Sequence, residues 1–135
     1  MSSHELSLTN RWVLVAGTVF GLLSVIIGAF AAHSLKGALS SYSIGIFETA
    51  ARYQMYHALA LCCCGLILQK ANLPLGAIKL LKLTALSFIV GILLFSGSLY
   101  LLAVTSIKWL GMITPIGGLG LIIGWLLMMI SILKA

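Results

Sequence analysis

The stretch WVLVAGTVFGLLSVIIGAFAAHSL, from Trp12 to Leu35, contains no permanently charged side chain. At 1.5 Å per residue, a helix over it is longer than the roughly 30 Å of a bilayer's hydrocarbon core. Leu83 to Ile107 and Trp109 to Leu133 are also free of permanent charge, with Lys108 alone between them. The run from Tyr53 to Gln69 would reach only about 25 Å as a helix. It attains full length when extended back through Arg52 and Glu48 to Ser43, a residue type suited to capping. This extension puts both ionised groups at or just inside the membrane border. The expected fold class is all-α, an integral membrane four-helix bundle, with one transmembrane domain over 1–135 and spans near 12–32, 44–69, 83–105 and 109–133.

Composition agrees with that reading. Of 135 residues, 61% are hydrophobic and 7% charged, whereas soluble domains carry roughly 25% charged residues. Four spans leave only short loops, which excludes a large extramembrane catalytic domain. The first run also exceeds the 7–15 apolar residues typical of a signal peptide core, so it is expected to stay in the mature chain. The net charge of +6 comes from cations scattered singly along the sequence. That scatter lacks the one-sided basic footprint of a nucleic-acid binder.

Asn72, Pro74 and Gly76 mark a hairpin between spans 2 and 3. One side of the membrane then collects Arg11, Lys70, Lys79, Lys82 and Lys134, and the other Lys36, Arg52 and Lys108. The positive-inside rule therefore puts both termini in the cytoplasm. Trp12, Trp109 and Trp125 read as head-group anchors.

Close packing is expected along small residues. Gly17, Gly21, Ser24, Gly28 and Ala32 form one stripe, and Gly117, Gly120 and Gly124 another; Ser87 and Gly91 begin a third. Pro115, Gly117 and Gly118 suggest a bent or partly unwound start to span 4. Cys62, Cys63 and Cys64 fan around a helix and cannot share one metal ion, so packing is their expected role.

Chemistry concentrates in Phe47 to His57. Glu48 and Arg52 are four apart in the order that favours a helical ion pair, and His57 lies nine residues after Glu48, about 180° round the helix. A span polar on two faces is costly in lipid, so span 2 is expected to be surrounded by the other helices. The candidate internal polar cluster or ligand site is His33, Glu48, Arg52, Tyr53, Gln54, His57, Ser96 and Ser98. No spacing among the histidines and Glu48 matches a metal motif, and no catalytic, metal or cofactor residue is assigned.

The motifs at Gly28 to Lys36, Phe47 to His57, Phe95 to Tyr100 and Ile113 to Gly118 together resemble the small membrane-protein family called domain of unknown function 423, which includes YgdD-like and transmembrane protein 256-like members. Arg52 to His57 is the most specific element. Ala31 and Ser34 stand where the family pattern often has glycine. The resemblance implies a four-helix protein of the bacterial inner (plasma) membrane and no settled activity.

The leading expectation is a non-enzymatic accessory or envelope-maintenance protein that binds membrane lipids, a membrane-protein partner or further copies of itself, and no nucleic acid. An alternative is a small proton-linked transporter or channel using His57 and Glu48. A membrane enzyme with His33 and His57 as acid–base groups is a third reading.

Overall fold

A computed structural model describes residues 10–70 and 72–135; the remainder of the expected 1–135 domain lies outside the described residues. Helix α1 runs Arg11–Phe30 and closes in a π-helical turn, Ala31–Leu35. Helix α2 spans Ser41–Ile67, α3 Leu75–Thr105 and α4 Thr114–Leu133. The cap of α2 is Ser40, whose hydroxyl accepts the Ser43 N–H at 3.1 Å, so Ser43 lies inside the helix instead of heading it. Helix α3 begins immediately after Pro74 and carries Lys79 and Lys82 on its first turns. It ends at Ser106, whose left-handed backbone (φ 58°) turns the chain away while its N–H closes on the Leu102 carbonyl at 2.9 Å. The irregularity expected at the start of span 4 is a 3-10 turn, Lys108–Met112, placed before Pro115. Pro115 itself sits in the first turn of α4, where a helix has no use for its missing N–H.

Among the described residues, three stretches are long and apolar enough to cross a membrane: Arg11–Leu35, Leu75–Thr105 and Lys108–Leu133. The fourth, α2, has 27 residues, or about 40 Å of helix, but carries Glu48, Arg52, Gln54 and His57. Its packing shows that it runs through the same depth as its neighbours. Gly65 meets Leu14 near one end, and Phe47 lies against Tyr100 near the other, with ring centroids 4.9 Å apart. The described residues thus form an all-α membrane bundle of four helices.

The packing order follows the chain. Helix α1 packs on α2, α2 on α3 and α3 on α4, with only a light contact between α1 and α3. No comparable packing joins α4 to α1 or α2, so α2 is covered on two flanks and not enclosed as its polarity suggests. The core is built from Val13, Leu61, Leu81, Phe88 and Ile92. At two crossings the backbones themselves touch. A Cβ on Gly65 would lie 2.8 Å from the Leu14 nitrogen, and one on Gly117 would enter the backbone of Leu94 and Phe95. The cysteines separate as their fan requires: Cys62 lies against Gly17, Cys63 is exposed, and buried Cys64 reaches the Leu81 carbonyl at 3.3 Å.

Candidate functional site

Helix α2 is polar on both sides, and the two sides meet different surroundings. Its inner side, towards α1 and α3, is a hydrogen-bonded seam. Buried Gln54 donates to the Phe20 carbonyl of α1 at 2.9 Å and accepts the Tyr100 hydroxyl of α3 at 2.8 Å, so one side chain ties three helices together. Ser24 donates to the Ala51 carbonyl at 2.8 Å, and Ser96 to the neighbouring Ala50 carbonyl at 2.8 Å. These oxygens already serve the helix, and each has a second lone pair to offer. Ser98 is also buried, but it bonds the Phe95 carbonyl and the Thr114 hydroxyl, pinning the start of α4.

His57 is 5% exposed and occupied at both ring nitrogens. Nδ1 stands 2.7 Å from the Tyr53 carbonyl, and the Trp125 indole donates to Nε2 at 3.1 Å. A carbonyl only accepts and an indole N–H only donates, so the arrangement selects the neutral ring with its proton on Nδ1. Phe88 and Trp125 approach the imidazole edge-on at 5.4 and 6.0 Å, which fixes the ring plane.

Beside His57 a groove of about 600 Å³ opens between α2 and α4 over α3. Tyr53, Tyr56 and Trp125 line it, with Phe95 and Ile122. Apart from the imidazole edge, the indole nitrogen and the phenol hydroxyls, its walls are hydrocarbon and aromatic carbon. The volume falls within the range of small-ligand pockets, and the lining suits an apolar chain.

The candidate cluster therefore divides. Gln54, His57, Ser96 and Ser98 are buried inside the bundle; Tyr53 is 40% exposed and forms a wall of the groove. Glu48, Arg52 and His33 are exposed, and His33 sits in the π-helical turn at the end of α1. This corrects the expectation of one internal Glu/Arg/His cluster. The physical reason is helical phase: with His57 turned inward, a residue about 180° round must point out.

Depth is corrected too. Ser24 lies at the middle of the uncharged run Trp12–Leu35, and Ser96 beside the middle of Leu83–Ile107. Because these serines bond Ala51 and Ala50, that part of α2 is at mid-depth, and Arg52 and Glu48 lie within one turn of it. Arg52, expected at the membrane border, is roughly 15 Å from it, half the hydrocarbon thickness, and Glu48, four residues nearer the start of α2, about 10 Å. An arginine facing lipid there costs roughly 3 kcal/mol or more.

Two members of the seam were not among the sequence candidates. Tyr100 stands in the Phe95–Tyr100 motif, and only its hydroxyl hinted at a partner. Trp125 reads as an anchor by type, but it lies about 12 Å along the helix from Leu133, too deep for the head groups. Among the described residues, no three histidine, cysteine or acidic side chains are grouped to hold a metal ion.

Residues 27–118 match a family described as protein of unknown function (DUF423). The chain belongs to that family. DUF423 relatives extend the likeness over most of the chain. A UPF0382 membrane protein of Staphylococcus epidermidis is 43% identical over 90% of this chain and 94% of its own length. One from Staphylococcus aureus is 40% identical with the same coverage. The UPF0382 membrane protein YwdK of Bacillus subtilis is 38% identical over 90% of this chain and 95% of its own. No solved structure matches. The names of these relatives agree with a membrane location for this DUF423 chain.

Proposed function

We propose that this protein is a non-enzymatic accessory protein of the bacterial plasma membrane, with both termini in the cytoplasm, and that it holds a lipid hydrocarbon chain in the aromatic groove between α2 and α4. The observation that carries this reading is the groove: about 600 Å³ at acyl-chain depth, walled by Tyr53, Tyr56, Phe95, Ile122 and Trp125. Its one imidazole is committed at both nitrogens. A general base needs a free lone pair, and His57 would gain one only by giving up Trp125. A proton path through His57 and Glu48 would also have to join opposite sides of α2. These points favour binding over turnover or transport.

The test is native mass spectrometry of the protein extracted in mild detergent. A retained lipid is expected on the wild type and lost from Ile122→Trp, which fills the groove from an exposed wall position. Equal lipid retention by both, with unchanged helical content, would overturn the reading. Proteoliposome flux that needs His57 would favour the transporter instead.

A further inference from the structure

A further pocket, of about 430 Å³, lies where the start of α2, the end of α3 and the 3-10 turn meet. Its depth follows from the serine that levels the two helices. Ser96 bonds Ala50 at mid-depth, and Ser40 and Ser106 each stand ten residues away from that level, about 15 Å along their helices. Both therefore reach the border of the roughly 30 Å hydrocarbon layer, on the side away from the termini. The lining is sorted by depth. Ser40, Ser43, Ser106 and Lys108 form a polar rim, while Ile46 and Leu102, three to four residues deeper on α2 and α3, form an apolar floor.

Lys108 is the one charged side chain among the described residues that line this pocket, and it is exposed. Glu48, the only acidic side chain among the described residues, stands about 200° round α2 from Ile46, on the far side of the helix. The Ser40 hydroxyl donates to the Ser43 oxygen at 3.1 Å, so the pair ends on the Ser43 proton, which is there to be donated. The rim thus offers one positive charge and a hydroxyl donor, and no acid to answer a cation.

We propose that the pocket holds the head of an anionic phospholipid from the leaflet opposite the termini. Lys108 pairs with the phosphate, Ser43 donates to it, and the upper part of an acyl chain lies on Ile46 and Leu102. Charge complementarity selects the class: a zwitterionic head brings an ammonium that finds no carboxylate here, whereas phosphatidylglycerol brings only a phosphate and hydroxyls. The order of polar rim over apolar floor selects a lipid, because a free phosphate makes no use of the floor. The inference stands apart from the groove between α2 and α4, which lies at acyl-chain depth.

The experiment reconstitutes the full chain in phosphatidylcholine vesicles with a trace of phosphatidylglycerol that carries a diazirine near the top of one acyl chain. After irradiation the labelled residues are mapped by mass spectrometry, beside a phosphatidylcholine probe with the same diazirine. Label on residues 40–46 and 102–111 is expected to be about fivefold higher from the anionic probe, the worth of one lysine near an anionic lipid. Lys108→Gln should bring it down to the zwitterionic level, and Lys108→Arg, which keeps the charge, should retain it. Lys36→Gln removes a cation from the same side of the membrane but outside the pocket, and should leave most of the preference in place. Equal labelling by the two probes would overturn the proposal. So would a loss in Lys36→Gln as large as in Lys108→Gln, which would mean diffuse attraction to a basic rim, or a loss in Lys108→Arg.

Discussion

The inner and outer sides of α2 are equally polar in sequence and opposite in outcome. On the inner side, Gln54 and His57 find partners at 2.7–3.1 Å on α1, on α3, on α4 and in the backbone of α2 itself. On the outer side, Glu48 and Arg52 are exposed beside helices whose own outward residues are apolar, such as Val15 and Leu22 on α1 or Ile116 and Leu119 on α4. In water that contrast would mean little, because exposed charge is solvated. In hydrocarbon an unpartnered charge is a debt that neighbours must settle. The inner side explains how one chain folds, and the outer side points to what the folded chain meets next.

The contrast can be broken at several strengths. The largest effect is expected from Gly117→Leu, whose side chain would enter the backbone of α3. It should destabilise the bundle by about 3 kcal/mol, measured as unfolding in mixed micelles. Gly28→Leu, where the added Cβ meets nothing, should leave that curve in place. Gln54→Leu removes the link among three helices and strands the Tyr100 hydroxyl, a loss of about 1–2 kcal/mol. A Gln54→Leu/Tyr100→Phe double-mutant cycle should recover part of it. Trp125→Phe removes one bond to His57 and should cost about 0.6 kcal/mol, the usual size of an interhelical bond in lipid. The smallest effect sharpens the comparison. Glu48→Gln with Arg52→Gln should change the unfolding free energy of the detergent-solubilised protein by less than about 0.5 kcal/mol; a larger loss would show that the outer pair holds the single chain together.

Much of this was legible beforehand. The uncharged runs mark the helices, the Asn72–Pro74 turn marks the hairpin, and the packing role expected of the consecutive cysteines holds for Cys62 and Cys64 but not for exposed Cys63. Periodicity also set Glu48 and His57 on opposite sides of α2. What it could not assign was which side faced the neighbours. That choice is made by pairs far apart in sequence, Ser24 with Ala51 and Ser96 with Ala50. The same pairs fix the depth of Arg52. Counting back from the nearest uncharged run placed the pair at a border because the count took only α2 into account. Trp125 was misplaced for a related reason: residue type suggested a rim, whereas its position along α4 and an imidazole on another helix determine where the indole goes.

The three adjacent thiols have one further consequence. Only the middle one, Cys63, is exposed, while Cys62 is partly covered and Cys64 is buried. A membrane-permeant alkylating dye should therefore tag a single sulfur, leaving a native fluorescent handle on the outward flank of α2 without any engineered cysteine. Labelling of that handle in cells, compared with labelling after dilution into detergent, would report whether anything covers the flank in the membrane.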